Sequence, residues 1–347
     1  MAKHTAPRHI DVVGAGLVAS LMVWTLLTAS WDGGRGGRLF VLFAASTGAY
    51  LAARVVAQLG RNVVPLIIVG VGVVIVVVST PSDLYSSAPL NGPFGYSNMT
   101  GAFFAECACA ALSLAFSRTA ALRIVGIAAT VAFAAVPVLT HSRTATASLF
   151  LLLPVMGLVA RFLGARRAVM VGAAVTLAAI ALSVLLAATY VPHRKTTVDR
   201  VVDAVLSERR IELAHDGWKL MIDHPVRGVG ADRFAHVSPA AAKDKDSQWA
   251  HNDFLQMGAE TGVVGALLLV GLFAWAFARV GHKTVRDATI VLAAAGVAVL
   301  GINMCVDHLL KSPAVPVVTA ALVGAAAGPF RWLSRRDGAR PPARGRR

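Results

Sequence analysis

Apolar runs of about 20 residues recur along the chain, at about 10–30, 38–58, 62–80, 99–117, 120–140, 144–163, 167–190, 252–279, 285–305 and 312–332. Roughly 20 apolar residues is the length at which a helix crosses the ~30 Å hydrocarbon core of a bilayer. Backbone groups in lipid have no water to bond, so runs of this length predict helices. The pattern predicts an all-α fold, a polytopic integral membrane helical bundle of about ten transmembrane helices. Polar positions collect in the connections. One connection, 191–250, is far longer than the rest, and long loops are usually functional. Within it Ile211, Ala214, Trp218, Met221 and Ile222 recur at helical spacing. They predict an amphipathic helix over about 199–223. Asp223-His224-Pro225 ends it, since proline cannot continue a helix.

Charge supplies the orientation. One set of turns carries Arg54 and Arg61, Arg118 and Arg123, Arg161, Arg166 and Arg167, then Arg279, Lys283 and Arg286. Lys3, Arg8 and the arginine-rich tail fall on the same side. The opposite short turns hold only Arg35, Arg38, Arg143 and Lys311. Basic residues mark the cytoplasmic side. An even number of spans then puts both termini inside the cytoplasmic membrane and 191–250 outside it. The first apolar run has no small-residue cleavage site and reads as a retained span. The expected organisation is a first part of the bundle at 1–190, the extracytoplasmic loop at 191–250, the last part of the bundle at 251–332 and a basic tail at 333–347.

Composition agrees. Of 347 residues 56% are hydrophobic and 15% charged, with mean hydropathy +0.66, against ~25% charged in soluble domains. The net charge of +15 would suit a nucleic-acid partner, but its placement in membrane turns argues against one. Cys107, Cys109 and Cys305 all lie inside apolar runs and imply neither a disulfide nor a metal site. His193, His215, His224, His236 and His251 lack the i, i+4 spacing of a metal motif. No metal and no cofactor is expected. Gly228-Val229-Gly230 is a loop turn, since a dinucleotide fingerprint would need a preceding strand and a third glycine.

Three outward stretches could carry chemistry. His251-Asn252-Asp253, with Glu260, stands where the long loop re-enters an apolar run. Ionisable groups at that depth are costly and therefore functional candidates. The bland reading is an interfacial histidine, and Gly258, Gly262 and Gly265 are spaced for close helix packing. His141-Ser142-Arg143-Thr144 turns between two spans. Arg143 there is a headgroup-level cation or simply a snorkelling arginine. Arg209-Arg210-Ile211-Glu212 lies within the loop helix.

In this order the stretches resemble the O-antigen ligase family, which also relates to O-antigen polymerases and bacterial protein O-oligosaccharyltransferases. The resemblance rests on Gly95-Tyr96-Ser97-Asn98-Met99-Thr100-Gly101, on Ser142-Arg143-Thr144, on Arg210 with Trp218, Pro225, Gly228, Gly230 and Phe234, and on His251-Asn252, Leu255, Glu260, Gly262 and Gly265. It covers about 95–265. The family usually has about twelve spans where this chain reads as about ten, and position 97 is Ser where the family commonly has Pro.

The resemblance implies transfer of a glycan from a polyprenyl-pyrophosphate carrier to an acceptor hydroxyl at the outer face, with inversion and without a metal. Arg143 and Arg210 would stabilise the leaving pyrophosphate and His251 would act as base, with Asp253 or Glu260 orienting it. Asn98, Arg209, Asn252, Asp253 and Glu260 would contact substrate. The implied partners are the lipid-linked donor, a glycan, lipid or protein acceptor, and membrane lipid. A polymerase of the same fold would share every feature. A lipid-linked glycan transporter would carry polar residues near the midplane of several spans, whereas Glu106 is the main exception among aliphatic runs here.

Overall fold

The computed structural model describes residues 6–33, 35–79, 92–191, 207–243, 248–282 and 288–329. Among them every regular element is helical. In chain order they are α1 (Ala6–Asp32), α2 (Gly37–Val56), α3 (Val63–Val78), α4 (Ser97–Ala115), α5 (Ala120–Leu139), α6 (Arg143–Leu163), α7 (Ala165–Thr189) and α8 (Glu208–Asp223). The short turns α9 (Phe234–Val237) and α10 (Pro239–Ala242) follow, then α11 (Asp253–Gly281), α12 (Ala288–Met304) and α13 (Ala314–Ala327).

Seven of these are long and apolar enough to cross a membrane: α1, α2, α4, α5, α6, α7 and α11. Three are shorter apolar helices, α3, α12 and α13. Together they fall on the ten apolar runs. The seventeen residues of α12 rise only roughly 25 Å at about 1.5 Å each. The chain beyond it unwinds into a loop, Cys305–His308, and a single 3₁₀ turn, Leu309–Lys311. Non-helical backbone near membrane depth is tolerated where protein covers it, and Cys305, Asp307, His308 and Leu309 are all buried.

Helix α4 is the centre of the bundle, 83% buried over its span, against 17% for α5 at the lipid face. Small residues permit this. Gly126 of α5 rests on the backbone of α4 at Ala111–Ala115, and Gly324 of α13 on the backbone of α2 at Tyr50. Ser97 is the first helical residue of α4, after an extended Tyr96 (φ −152°, ψ 119°). Proline also suits that first position, so serine there leaves the helix start unchanged.

The loop helix α8 ends at Asp223 as Pro225 requires. Its expected first turns, 199–206, lie outside the described residues. Ile211 and Met221 are buried as the periodicity predicts, but Leu213, His215 and Gly217 are buried too, and Ile222 is exposed. The cause is that α8 is wedged between α7 and α11, so it is covered on more than one face. The His215 ring bonds the Ala187 carbonyl of α7 at 2.7 Å, and Met221 packs on Gly258 of α11.

Gly262 is not part of a helix-packing stripe. It breaks α11, with φ +73° and ψ 178°. The loop turn after α8 inserts into the break. Val229 and Gly230 N–H groups donate to the Ala259 and Glu260 carbonyls at 2.8 and 3.0 Å, and Val263 N–H donates to Pro225 O at 2.8 Å. Trp24 of α1 donates to the Thr261 carbonyl at 2.7 Å. Every opened carbonyl thus finds a donor, as a break inside a membrane helix requires. Any Cβ at Gly262 would collide with the Val226 backbone. Gly262→Ala is therefore expected to cost about 1–3 kcal/mol, the range for a residue held in a sparsely populated backbone region. A lowered thermal unfolding temperature of the purified protein in detergent would register it.

Candidate active site

The fold brings four elements to one end of the bundle: the start of α4, the start of α8, the chain entering α11 and the loop between α12 and α13. At their meeting point is Asp307, 2% exposed. The Tyr96 hydroxyl lies 2.6 Å from both of its oxygens and donates its one proton there. Asn98 donates to Oδ2, and the Arg210 guanidinium lies 3.8 Å from the same oxygen. His251 Nδ1 is 3.2 Å from Oδ1. His308 Nδ1 lies 2.9 Å from Oδ1 without forming a hydrogen bond to it.

The surrounding rings fix this geometry. His308 stacks on Tyr96 (centroids 4.6 Å apart) and on Trp249 (5.7 Å), and meets the His251 ring edge-on at 4.8 Å. Arg38 lies over Trp249 at 4.2 Å and pairs with Asp232 at 2.5 Å. Among the described residues three non-glycine residues have positive φ, and all lie at this end: His141 (53°), Asp232 (66°) and His251 (47°). Such strain gathers at functional sites. At His251 it follows from Asn252, whose side chain caps α11 by accepting from Phe254 and Leu255 N–H at 3.1 Å. Asn252 also donates to Ser183 and to the Cys305 carbonyl at 2.9 and 3.0 Å. The α11 start is thereby pinned to α7 and to the α12 end, and His251 turns toward Asp307.

Electrostatics assign protonation. Burial pushes Asp307 up, but hydrogen bonding to His251 and contact with His308, together with the charge of Arg210, hold it well below the usual carboxylate range. It is an anion at neutral pH. Burial lowers His251 below the ordinary histidine value of 6.5, against the opposing pull of Asp307. At neutral pH His251 is therefore an uncharged imidazole. A carboxylate at Nδ1 selects the tautomer with its proton there and leaves Nε2 as the basic nitrogen. Burial, with the nearby Asp307 charge, raises Tyr96, which stays a donor.

The expected site residues divide into two groups. Arg210, His251 and Asn98 meet at Asp307. Asp253 and Glu260, expected to orient His251, hold backbone instead. Asp253 accepts from Leu310 N–H at 3.0 Å. Glu260 accepts from Asp232 and Phe234 N–H at 3.0 and 3.4 Å and from Gln256 at 3.0 Å, fastening the loop to α11. The physical reason is direction: both carboxylates point into the α11 packing, whereas Asp307 arrives from the neighbouring loop. Arg209 is turned to Glu212 at 2.9 Å and to the Ala240 carbonyl. Asn252 supports, as described. Arg143 starts α6 and is exposed, and the Ser142 before it abuts Gly101, one turn along α4 from Asn98.

Sequence reasoning missed Asp307, His308, Trp249, Tyr96 and Arg38 as site residues. An Asp-His pair between two apolar runs, in a turn on the same side as His251, was the signal available. Nitrogen and oxygen atoms of His251, Asp307 and His308 lie within 4.8 Å of one another, close enough to share an ion. Yet both oxygens of Asp307 already accept hydrogen bonds and Arg210 stands beside them, so an ion would have to displace this network.

Residues 128–270 match the family model described as O-antigen ligase. Over that stretch the chain is similar to the O-antigen ligase family. The matched region contains Arg143, Arg210 and His251, and it stops within α11, before Asp307. No curated protein matches the chain. The O-antigen ligase and polymerase type is a class of membrane glycosyltransferases, and the helical bundle here is of a kind with a multi-pass membrane protein.

Proposed function

We propose that this protein transfers a glycan from a polyprenyl-pyrophosphate carrier to an acceptor hydroxyl at the outer face of the cytoplasmic membrane, with both termini cytoplasmic. The observation that carries the reading is the contact of one buried carboxylate, Asp307, with both a neutral histidine, His251, and an arginine, Arg210. A base and a cation are thereby held together at one membrane edge.

The reaction needs both. As the bond from the anomeric carbon to the pyrophosphate oxygen breaks, negative charge grows on the leaving group. Arg210, fixed by Tyr96 at 3.2 Å and by the Val306 carbonyl at 3.5 Å, offers its remaining donors to that charge. Arg143, exposed at headgroup level, would bind the second phosphate. Forked guanidinium donors match phosphate oxygens, and one preorganised donor of this kind contributes on the order of 10²–10³ in rate. On the other side of the sugar, Nε2 of His251 takes the acceptor proton as the hydroxyl attacks. Asp307 stabilises the imidazolium that forms. One in-line displacement inverts the anomeric carbon, and no step calls for a metal.

Arg210→Lys keeps the charge and loses the fork. It is expected to lower transfer by about 10²-fold while protein abundance in the membrane is unchanged. Full activity in a transfer assay with purified donor would remove Arg210 from the leaving-group role. The same assay is expected to proceed undiminished in excess EDTA. Loss of activity restored by a single divalent ion would hand the His251–Asp307–His308 cluster to a metal.

A further inference from the structure

Two histidines, not one, stand at Asp307. The His308 backbone N–H donates to Oδ1 at 2.9 Å. That bond keeps the His308 ring beside the oxygen that His251 Nδ1 contacts at 3.2 Å. His308 Nδ1 comes closer to it still, at 2.9 Å, yet this buried nitrogen has no hydrogen-bond partner among the described residues. A length of 2.9 Å is ordinary for a hydrogen bond, so direction and not distance keeps this one unmade. A buried polar atom without a partner is costly. Other contacts must therefore hold the ring where it is.

Two stacked rings supply that hold. Tyr96 lies 26° from the His308 plane and Trp249 only 15°. Tyr96 is fixed by its own bond to Asp307. Trp249 is braced by cations: Arg38 lies over its ring at 4.2 Å and Lys311 at 5.9 Å. Arg38 is in turn anchored to Asp232 at 2.5 Å. The Asp232 N–H bonds Glu260 at 3.0 Å, and the Arg35 N–H bonds the neighbouring Ala231 carbonyl at 3.0 Å. The brace thus ties the turn between α1 and α2 to the long loop and to α11. The space left among Arg38, Trp249, Asp253 and Lys311 is only about 10 Å³, so the indole has no room to withdraw from His308.

We propose that Trp249, braced by Arg38, is a positioning residue for the base: it holds His308 in a plane from which Nδ1 does not bond Asp307, and so reserves Oδ1 for His251. The role rests on the reading of His251 as the base of glycan transfer. Once Trp249 is gone, the His308 ring turns and donates to Oδ1, which satisfies its stranded nitrogen. His251 then loses the carboxylate that keeps a proton on Nδ1 and leaves Nε2 free to accept one. Trp249 and Arg38 touch no reacting atom in this account. They act through His308, and Arg38 does so from outside the matched stretch 128–270.

The test measures initial rates of glycan transfer by purified full-length protein, with membranes of a deletion strain supplying the accumulated lipid-linked donor and the acceptor. Trp249→Leu is expected to be slower than wild type by on the order of 10- to 100-fold, and Arg38→Gln by about threefold or more. The deciding result is suppression. Adding His308→Phe keeps a stacking ring and removes the competing nitrogen, and it is expected to speed up Trp249→Leu by about tenfold. Were Trp249 only part of the packing, a second substitution beside it would leave the rate where it was or lower it. His251→Ala is measured alongside. If His251→Ala is inactive while Trp249→Leu is unchanged, or is slow and gains nothing from His308→Phe, the positioning role is overturned and the base assignment stands. Full activity of His251→Ala overturns both. Should Trp249→Leu fail to fold, Arg38→Gln with and without His308→Phe decides by the same suppression. Should both fail, nitrogen NMR of the histidine-labelled wild type decides: the ring bonded to Asp307 must be the one missing from His251→Ala, and finding it missing from His308→Phe instead overturns the proposal.

Discussion

His251→Ala is expected to lower glycan transfer by on the order of 10²–10⁴, the usual contribution of a positioned general base, at unchanged abundance in the membrane. The argument rests on three properties of this side chain. It is uncharged at neutral pH because burial outweighs the attraction of Asp307. Its Nδ1 is committed to that carboxylate at 3.2 Å, so Nε2 alone is free to accept a proton. Its backbone is strained, with φ +47°, which fixes the ring's approach. Alanine removes the base and little packing, so the bundle should fold as before. In wild type the rate should fall on the acid side as His251 gains a proton. Because its pKa is lowered, that limb lies below 6.5. Initial rates of transfer across a pH series check both the magnitude and the position of the limb.

Asp307→Asn is expected to be nearly as damaging, by about 10²-fold or more, although this residue touches no substrate in the proposed mechanism. Asparagine has the same shape and keeps one acceptor oxygen, so Tyr96 can still donate to it. If its amide nitrogen faces His251, donor meets donor unless the imidazole takes its other tautomer. That tautomer puts the proton on Nε2 and disables the base. The variant also loses the carboxylate that stabilises the imidazolium and the charge 3.8 Å from Arg210. Since the Asp307 anion raises the His251 pKa, its removal should shift the acid limb of the residual rate to still lower pH. A merely structural role would leave the limb in place. The measurement is the pH–rate profile of Asp307→Asn beside wild type.

How much of this was legible depends on what each feature rests on. The ten apolar helices were readable because a helix in lipid needs a long apolar run, although α3, α12 and α13 are shorter than a full span. The end of α8 was readable because Pro225 stops any helix. The break at Gly262 was not, since a glycine that packs against a helix and a glycine at positive φ look alike in sequence. What distinguishes them is the Pro225–Gly230 turn arriving from far along the chain. Arg210 and His251 stood out by composition and by resemblance. Their shared partner did not, because a histidine picks its carboxylate by direction and not by nearness in sequence. Asp253 and Glu260 are its sequence neighbours but point into α11 packing, while Asp307 reaches it across fifty-six positions. Asn252, expected to contact substrate, also caps α11, a role that shows only once the start of α11 and its capping geometry are on hand.

The central claim is that His251, on Asp307 and beside Arg210, transfers a lipid-linked glycan at the outer face. Complementation of a deletion strain with wild type and with His251→Ala tests it, reading the finished surface glycan and the sidedness of the polyprenyl-linked pool together. The account predicts that His251→Ala loses the finished product while the lipid-linked glycan accumulates on the outer face. Product length in the wild type then separates single addition from polymerisation. Accumulation on the inner face, or a normal finished product from His251→Ala at normal abundance, would contradict it.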